Sequence, residues 1–491
     1  MSAARSSLFL VATLAAACGG PSFDPETAKH VLTVDERGRM LDTAASGAPP
    51  AFPAKKNAVY QDDTPSGQTT EKLVDEMVKG ILAGTESHLA HGGRRRVMIF
   101  AHGGLNSWDA SSDTIRDVLK RVHWSATPPA GQPPDPYPIF VQWNSEAFHC
   151  LHEHLWWIRQ GRVRDRFWPL ASPLYFVGDL GRGLVDLPVT WMTEIENTFG
   201  TAPSMKENAK ERYKYYRGIP VDDARLGRGE RPDRSWRRAI VEESGNVLYF
   251  PFRIVTMPLV NGFGEPAWEN MIRRTRMVFH TEEEFEVEMG PLPEGSGAMS
   301  FFLRRLEQAV RENGGPDQWD ITLVGHSMGA FVCSEALRIA PSLPVRNVVF
   351  MAAACSLREY RDSVVPFLEM PAHADTQMHH LCLSDRAEEN EAWPSHWFEV
   401  APRGSLLVWI DSFLSSPATL LDRAAGRYVN LMAAAHLDDS LDDSVRKRIS
   451  IRQFSSGQDR APQSPQAHGE FIENVDFWKS DSWKPIEKDL E

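Results

Sequence analysis

The fold of this chain is decided by the stretch Ile321-Thr322-Leu323-Val324-Gly325-His326-Ser327-Met328-Gly329-Ala330-Phe331-Val332. Its first four residues predict a buried strand, and the residues after Gly329 are compatible with a helix. Gly325 and Gly329 have no Cβ, so a strand and a helix can approach closely around the turn between them. Such a strained turn exposes the hydroxyl of Ser327 at the helix N-terminus, which is typical of a nucleophile. The alternative is a tight glycine turn with a capping serine.

A second apolar run, Val97–Ala101, leads directly into His102-Gly103-Gly104. When a nucleophile attacks a carbonyl, negative charge develops on the oxygen, and backbone N–H groups must already point at it. We therefore predict an oxyanion hole formed by the N–H groups of Gly104 and Met328. In enzymes of known mechanism the loss of one such donor lowers the rate by about 10²–10³. The alternative is an ordinary turn between a strand and a helix.

These two motifs, in this order, resemble the α/β-hydrolase superfamily, and more closely its serine esterases and lipases. The resemblance covers roughly residues 95–145 and 300–480. It implies a sheet of mostly parallel strands and a catalytic triad in the chain order Ser, acid, His. It also implies that no cofactor or metal ion is needed.

The candidate for the histidine is His468, in a polar loop after the short apolar run Ile449–Ile451. A histidine there can reach Ser327 over the carboxyl edge of the sheet. It would take the serine proton and later give it to the leaving alcohol, and a pKa near neutrality suits both steps. The alternative is a solvated loop histidine.

The candidate for the acid follows the strand-like run Leu381–Leu383. Asp385 lies at the end of that run and is predicted to hold the imidazole in the required tautomer. Glu388, one helical turn later, is the alternative acid. A helix N-cap or a solvated carboxylate would be a purely structural role for Asp385.

The remaining pattern is an alternation of short apolar runs with amphipathic stretches. Continuous apolar runs fit strands that are buried on both faces of a parallel sheet, and the alternation predicts an α/β fold with helices on both faces. The helical stretches include Glu71–Leu82 and Phe301–Val310. The strand candidates are 30–34, 97–101, 139–143, 321–324, 348–352, 381–383 and 449–451.

Two stretches interrupt the alternation. Residues 150–300 are too many for a loop in a compact domain, so we predict a cap or lid insertion. For its aromatic and aliphatic residues the sequence favours core packing, with an acyl pocket or lipid contact as alternatives. From Lys206 to Arg238 there are eleven Lys or Arg residues against six Asp or Glu residues, which indicates a solvated face or a site for anionic headgroups.

The predicted organisation is a signal peptide (1–18), a tether and lead-in (19–70), the first part of the core (71–149), the cap (150–300) and the second part of the core (301–491) with a helical insertion (404–432).

The N-terminus predicts export. Arg5 and the apolar run Leu8–Ala17 fit a secretory signal peptide, and the run is too short to span a bilayer. Small residues directly before Cys18, with Gly19 and Gly20 after it, resemble the lipobox of bacterial lipoproteins, although Ala15 stands where Leu is usual. The expectation is a lipid-anchored protein of the bacterial cell envelope that meets a membrane surface through Cys18, and ordinary secretion is the alternative.

Composition argues against nucleic acid as a partner and leaves the disulfide state of the cysteines undecided. The formal net charge of −13 gives no basis for nucleic-acid binding, which needs a basic surface. Cys150, Cys333, Cys355 and Cys382 form an even set that allows disulfides, but three lie in apolar segments, which favours free thiols. The cluster Phe148–His154 resembles a metal site, yet it lacks the zinc-protease spacing, so we expect a structural role.

The sequence therefore predicts a serine hydrolase that cleaves a small-molecule or lipid carboxylic ester through an acyl-enzyme on Ser327. Thioester cleavage or acyl transfer on the same residues is an alternative chemistry. A catalytically silent envelope protein that uses the fold for binding is an alternative class.

Overall fold

The computed structural model of the protein describes residues 22–44, 70–90, 93–124, 134–191, 236–280, 296–391 and 394–483, with further gaps at 36, 157, 160–161, 164–167, 189–190, 396–397, 400–401, 416, 418, 438–440 and 455–463. The predicted signal peptide with Cys18, most of the tether, and residues 206–235 of the basic stretch lie outside the described residues. The predicted domain boundaries stay predictions.

One parallel sheet forms the centre of the fold. The strands are β1 (Val31–Val34), β2 (Arg95–Ala101), β3 (Tyr137–Trp143), β4 (Ile158–Arg159), β5 (Arg162–Val163), β6 (Trp319–His326), β7 (Val345–Met351), β8 (Gln377–Leu383), β9 (Pro394–Ser395), β10 (Phe398–Glu399) and β11 (Ile449–Phe454). Seven of them pair in the order β1-β3-β2-β6-β7-β8-β11, all parallel. The predicted parallel sheet is confirmed, and each predicted strand run lies within or overlaps one of these seven strands.

Both faces of the sheet are covered. Strand β3 is buried at every position, and β6 at every position except Asp320. Because successive side chains of a strand point to opposite faces, such continuous burial requires covering layers on both sides. This confirms the predicted α/β fold.

The helices that form these layers surround the sheet. They are α1 (Pro25–Ala28), α2 (Thr70–Gly84), α3 (Glu86–Ala90), α4 (Trp108–Arg121), α5 (Ala147–Trp156), α6 (Trp168–Val185), α7 (Trp236–Met277), α8 (Ala298–Glu312), α9 (Gly329–Ile339), α10 (Leu357–Glu369), α11 (Asp385–Asn390), α12 (Leu406–Trp409), α13 (Tyr428–Leu437), α14 (Asp443–Arg446) and α15 (Glu470–Asn474). Helices α2, α8, α9 and α10 pack side by side in one layer. On the other side Arg121 of α4 donates to the carbonyl of Ile472 at 2.6 Å, and Phe477 stacks on Phe100 of β2 with 4.6 Å between ring centroids.

The order of the strands reverses between β2 and β6. The chain runs outward from β2 to β3 on one side, and from β6 through β7 and β8 to β11 on the other. A crevice opens at the carboxyl ends of the strands where such a reversal occurs, and ligands of open α/β sheets bind there. The two motifs that follow β2 and β6 therefore meet at this crevice.

The segment predicted as a cap contains helices α5, α6 and α7, which pack on one another. A buried ionic cluster inside this segment is joined to the core by a hydrogen bond. Glu153 of α5 accepts from Arg273 at 3.3 Å and from Arg274 at 3.1 Å, and Arg274 also donates to the carbonyl of Asn144 at 2.8 Å, just after β3. Removing one member of a buried charged cluster leaves its partner unpaired, so this contact fixes the cap at the carboxyl edge of the sheet.

The cluster Phe148–His154 lies on α5. His154 donates to Asp179 of α6 at 3.0 Å, and burial raises the pKa of the Cys150 thiol to about 12. Among the residues that the structure describes, no three His, Cys, Asp or Glu side chains are placed to hold a metal ion. Four cysteines are free and buried: Cys150, Cys333, Cys355 and Cys382. In the described ranges no helix has the length and apolar character needed to cross a bilayer.

Candidate active site

Ser327 sits in a strained turn between β6 and α9. Its φ is +51°, a left-handed conformation that is uncommon for a residue with a side chain and often marks a functional site. The turn is held by two backbone hydrogen bonds: the Ser327 N–H donates to the Met351 carbonyl at 2.9 Å, and the Ala354 N–H donates to the Ser327 carbonyl at 2.9 Å. Met351 ends β7 and Ala354 follows it by three residues, so the end of the neighbouring strand and the chain just after it maintain the strain.

The two glycines of the turn are needed for space. A Cβ on Gly329 would lie 2.0 Å from the carbonyl oxygen of Ala101, and a Cβ on Gly325 would lie 2.8 Å from the Ala330 nitrogen. Both clashes are with backbone atoms, which cannot move aside as a flexible side chain would. The sequence motif therefore reflects a close approach of β2, β6 and α9.

The turn after β2 lies against Ser327. A Cβ on Gly103 would lie 3.1 Å from the Ser327 Cβ, and a Cβ on Gly104 would lie 2.5 Å from the Met328 Sδ. The Gly103 carbonyl accepts from the Asn106 side chain at 2.9 Å. Because the C=O and N–H of one trans peptide point in opposite directions, this bond also fixes the Gly104 N–H. Within the described part of the chain, the N–H groups of Gly104 and Met328 have no hydrogen-bond partner.

Ser327 and His468 are in contact. The Ser327 Oγ and the His468 Nε2 lie 2.8 Å apart, and both side chains are buried. Burial, together with the neighbouring His326, lowers the pKa of His468 well below its usual value. The imidazole is therefore neutral at neutral pH and can accept a proton.

Residues 295–356 match the family model described as "Alpha/beta hydrolase". The matched segment runs from the residues before α8, through β6, the Ser327 turn and α9, to the end of β7. Together with the parallel sheet, it gives the chain an α/β-hydrolase fold and supports a hydrolase-type function. No curated protein and no solved structure matches the chain.

Two further residues hold the backbone of His468. The His326 Nε2 lies 3.0 Å from the His468 carbonyl. Since a carbonyl only accepts, His326 must carry its proton on Nε2, and burial lowers the pKa of its ring to about 4. On the other side, the His468 N–H donates to Glu391 Oε2 at 3.0 Å.

Sequence reasoning did not identify either contact. His326 was available as the variable residue before Ser327, and Glu391 as the fourth acid after β8. Nothing in the sequence around His326 or Glu391 indicates that either residue contacts the loop that carries His468.

The two predicted acids occupy different environments on α11. Asp385 Oδ1 accepts from the Val429 N–H at 3.3 Å. Glu388 is fully buried and bonds Ser405 through one oxygen, and burial raises its pKa to about 8. Among the described residues, neither the other oxygen of Glu388 nor the His468 Nδ1 has a hydrogen-bond partner. The assignment of the acid stays a prediction.

Proposed function

We propose that the protein is a serine hydrolase that cleaves carboxylic esters through an acyl-enzyme on Ser327. The observation that carries the proposal is the 2.8 Å approach of Ser327 Oγ to His468 Nε2. It occurs at a left-handed serine and beside two N–H groups, those of Gly104 and Met328, that lack partners among the described residues. A nucleophile, a base and oxyanion donors are the parts that acyl transfer requires.

In the first half of the reaction Ser327 Oγ attacks the ester carbonyl carbon, and its proton passes to His468 Nε2. The carbonyl oxygen becomes an oxyanion, which the N–H groups of Gly104 and Met328 stabilise. Collapse of the tetrahedral intermediate breaks the bond to the alcohol oxygen, which takes the proton from Nε2. The acyl group is left as an ester on Ser327.

In the second half water replaces the alcohol. It gives a proton to His468 Nε2 as its oxygen attacks the acyl carbon, and a second tetrahedral intermediate forms in the same oxyanion hole. Collapse releases the carboxylic acid and returns the proton to Ser327 Oγ. The same base serves both halves, as microscopic reversibility requires.

The acid of the triad comes from helix α11 in this proposal. When His468 Nε2 accepts the serine proton, the ring proton lies on Nδ1, and a buried N–H without a partner costs about 1–3 kcal/mol. Asp385 already accepts from the Val429 N–H, whereas one buried oxygen of Glu388 is unpaired among the described residues. These contacts favour Glu388, the alternative acid of the sequence analysis, over Asp385.

Paired amide variants separate the two acids. At a pH above 8, where the Glu388 carboxyl has lost its proton, Glu388→Gln should lower kcat for a p-nitrophenyl ester by about 10²–10⁴, in the range of tautomer loss in other triads. Asp385→Asn should retain activity within a few-fold under the same conditions. The reverse result would return the role to Asp385. Equal losses in both variants would mean that α11 acts as a structural unit.

A fluorophosphonate probe tests the hydrolase assignment itself. The folded wild-type protein should be labelled, and labelling should disappear in Ser327→Ala. Absence of labelling in folded wild-type protein would favour the silent binding protein. Esters and thioesters with the same acyl group would then separate esterase from thioesterase chemistry, and added alcohol acceptors would reveal acyl transfer.

The proposed location is the bacterial cell envelope, with a lipid on Cys18 and secretion as the alternative. The support is the lipobox-like N-terminus. Incorporation of labelled palmitate into the wild-type chain, and its loss in Cys18→Ala, is the test. Export without incorporation would indicate ordinary secretion.

A further inference from the structure

Two cap helices carry apolar side chains on their outside. Helices α6 and α7 run antiparallel and touch closely where a Cβ on Gly183 would lie 2.9 Å from the Gly262 nitrogen. The sequence favours core packing for the aliphatic residues of this hairpin, but the structure exposes many of them; Val185 is 77 % exposed. We call the following exposed residues the cap ridge: Leu174, Val177, Leu184 and Val185 on α6, and Phe252, Val255 and Leu259 on α7.

The spacing of these residues makes each set a stripe along its helix. The intervals between residues 174, 177 and 184 on α6, and between 252, 255 and 259 on α7, are three, four or seven residues. These spacings place side chains on one side of a helix. Exposed apolar stripes on two helices that pack on each other are uncommon on soluble monomers, and such apolar surface marks a site that binds something.

Charge is almost absent from the ridge. Between residues 172 and 185 the charged residues are Asp179, which is buried, and Arg182. Between residues 250 and 264 the charged residue is Arg253, which is also buried. Arg182 is therefore the one exposed charge in these two stretches of the hairpin, and it already pairs with Glu265 at 3.4 Å. A highly charged protein partner would find little there to pair with.

The adjoining sequence indicates what covers the ridge. The chain that links the two helices includes Lys206–Arg238, which has an excess of positive charge in a protein whose net charge is −13. An apolar helical face with basic sequence beside it is the pattern of interfacial binding to anionic lipid. The lipobox-like N-terminus at Cys18 independently points to a membrane.

The ridge is connected to the active site through α7. Leu259 lies twelve residues before Met271, which corresponds to about 18 Å along a helix. Met271 reaches the turn after β2, since a Cβ on Gly104 would lie 2.8 Å from the Met271 Cε. A surface bound to the ridge would thus contact the helix whose Met271 lies beside the turn next to Ser327.

We propose that the cap ridge is a membrane-docking surface that inserts into the headgroup region of an anionic lipid bilayer. It holds the carboxyl edge of the sheet toward the membrane. The proposal does not depend on ester hydrolysis, because it concerns binding alone.

Vesicle flotation tests the docking surface without any activity measurement. The full chain carrying Cys18→Ala, which removes the lipid attachment, should float with vesicles of phosphatidylethanolamine and phosphatidylglycerol. Adding Val177→Asp, Val185→Asp and Val255→Asp should reduce the bound fraction by about tenfold or more, because charges are expelled from the apolar interface. All three positions are exposed, so circular dichroism and the unfolding midpoint should not change.

The matched control is Met370→Asp, an exposed apolar residue just after α10, near the amino end of β8. It should float as the Cys18→Ala chain does. Failure of the Cys18→Ala chain to float, or flotation unaffected by the three aspartates, would overturn the proposal. A concentration-dependent dimer that the aspartates dissolve, without vesicle binding, would also overturn it and identify a second copy as the occupant.

Discussion

Replacing His326 by Phe should lower catalysis by displacing His468. His326 Nε2 donates to the His468 carbonyl at 3.0 Å in a buried environment. Phe keeps a ring of similar size and removes the donor. The pKa of His326 lies near 4, so the ring is uncharged at neutral pH and the substitution removes a hydrogen bond without removing a charge.

The size of the effect follows from the unpaired carbonyl. A buried acceptor that loses its donor costs about 1–3 kcal/mol. The loop can relieve this cost only by moving, and the movement takes His468 Nε2 away from the 2.8 Å contact with Ser327 Oγ. A displacement of about 1 Å at reacting atoms can cost on the order of 100-fold. We therefore expect kcat to fall by about 10–100-fold, with KM unchanged because neither residue needs to contact the ground-state substrate.

The assay is steady-state hydrolysis of a p-nitrophenyl ester, with the fluorophosphonate labelling rate as a second readout. His326→Gln is the control, since its side-chain amide nitrogen can replace Nε2 as the donor and should restore kcat to within a few-fold. The unfolding midpoint of each variant separates lost positioning from lost folding. A Phe variant with wild-type kcat, or a Gln variant as impaired as Phe, would refute the positioning role.

Three further predictions concern stability and pH. Burial raises the pKa of Glu388 from 4.5 to about 8. Between these two pH values the folded chain keeps a proton that the unfolded chain releases. The free energy of unfolding should therefore fall as the pH rises, by up to about 1.4 kcal/mol per pH unit. In urea unfolding measured across this pH range, Glu388→Gln should flatten the pH dependence of stability. An unchanged pH dependence in the variant would contradict the raised pKa of Glu388. Gly329→Ala places a Cβ 2.0 Å from the Ala101 carbonyl oxygen and should lower the free energy of unfolding by about 3 kcal/mol or prevent folding. The control Gly178→Ala, whose Cβ meets nothing within 4 Å, should keep its free energy of unfolding within about 1 kcal/mol of wild type. Equal unfolding midpoints for the two variants would contradict the prediction. Burial lowers the pKa of His468, so its neutral form persists into acid, and the acid limb of kcat/KM should lie below pH 6.5; a limb at or above that pH would contradict the buried base.

The sequence alone determined the elements whose signals are local. The strand before Ser327, the glycines around it and the helix after it lie within twelve residues, and the hydrophobic pattern and turn chemistry of such a segment leave few alternatives. The same holds for the turn at Gly103-Gly104. Because apolar runs that alternate with helices can be buried only in a covered parallel sheet, the fold class followed as well.

The tertiary structure decided every relation between distant segments. The contact of Ser327 with His468 spans 141 positions, and that of Glu391 with the His468 backbone spans 77. The exposure of the cap ridge is also visible only in the tertiary structure. An apolar helix has the same sequence pattern whether other elements cover it or solvent does. Local patterns record the conformation of each segment, whereas the pairing of segments depends on a packing that the whole chain reaches together.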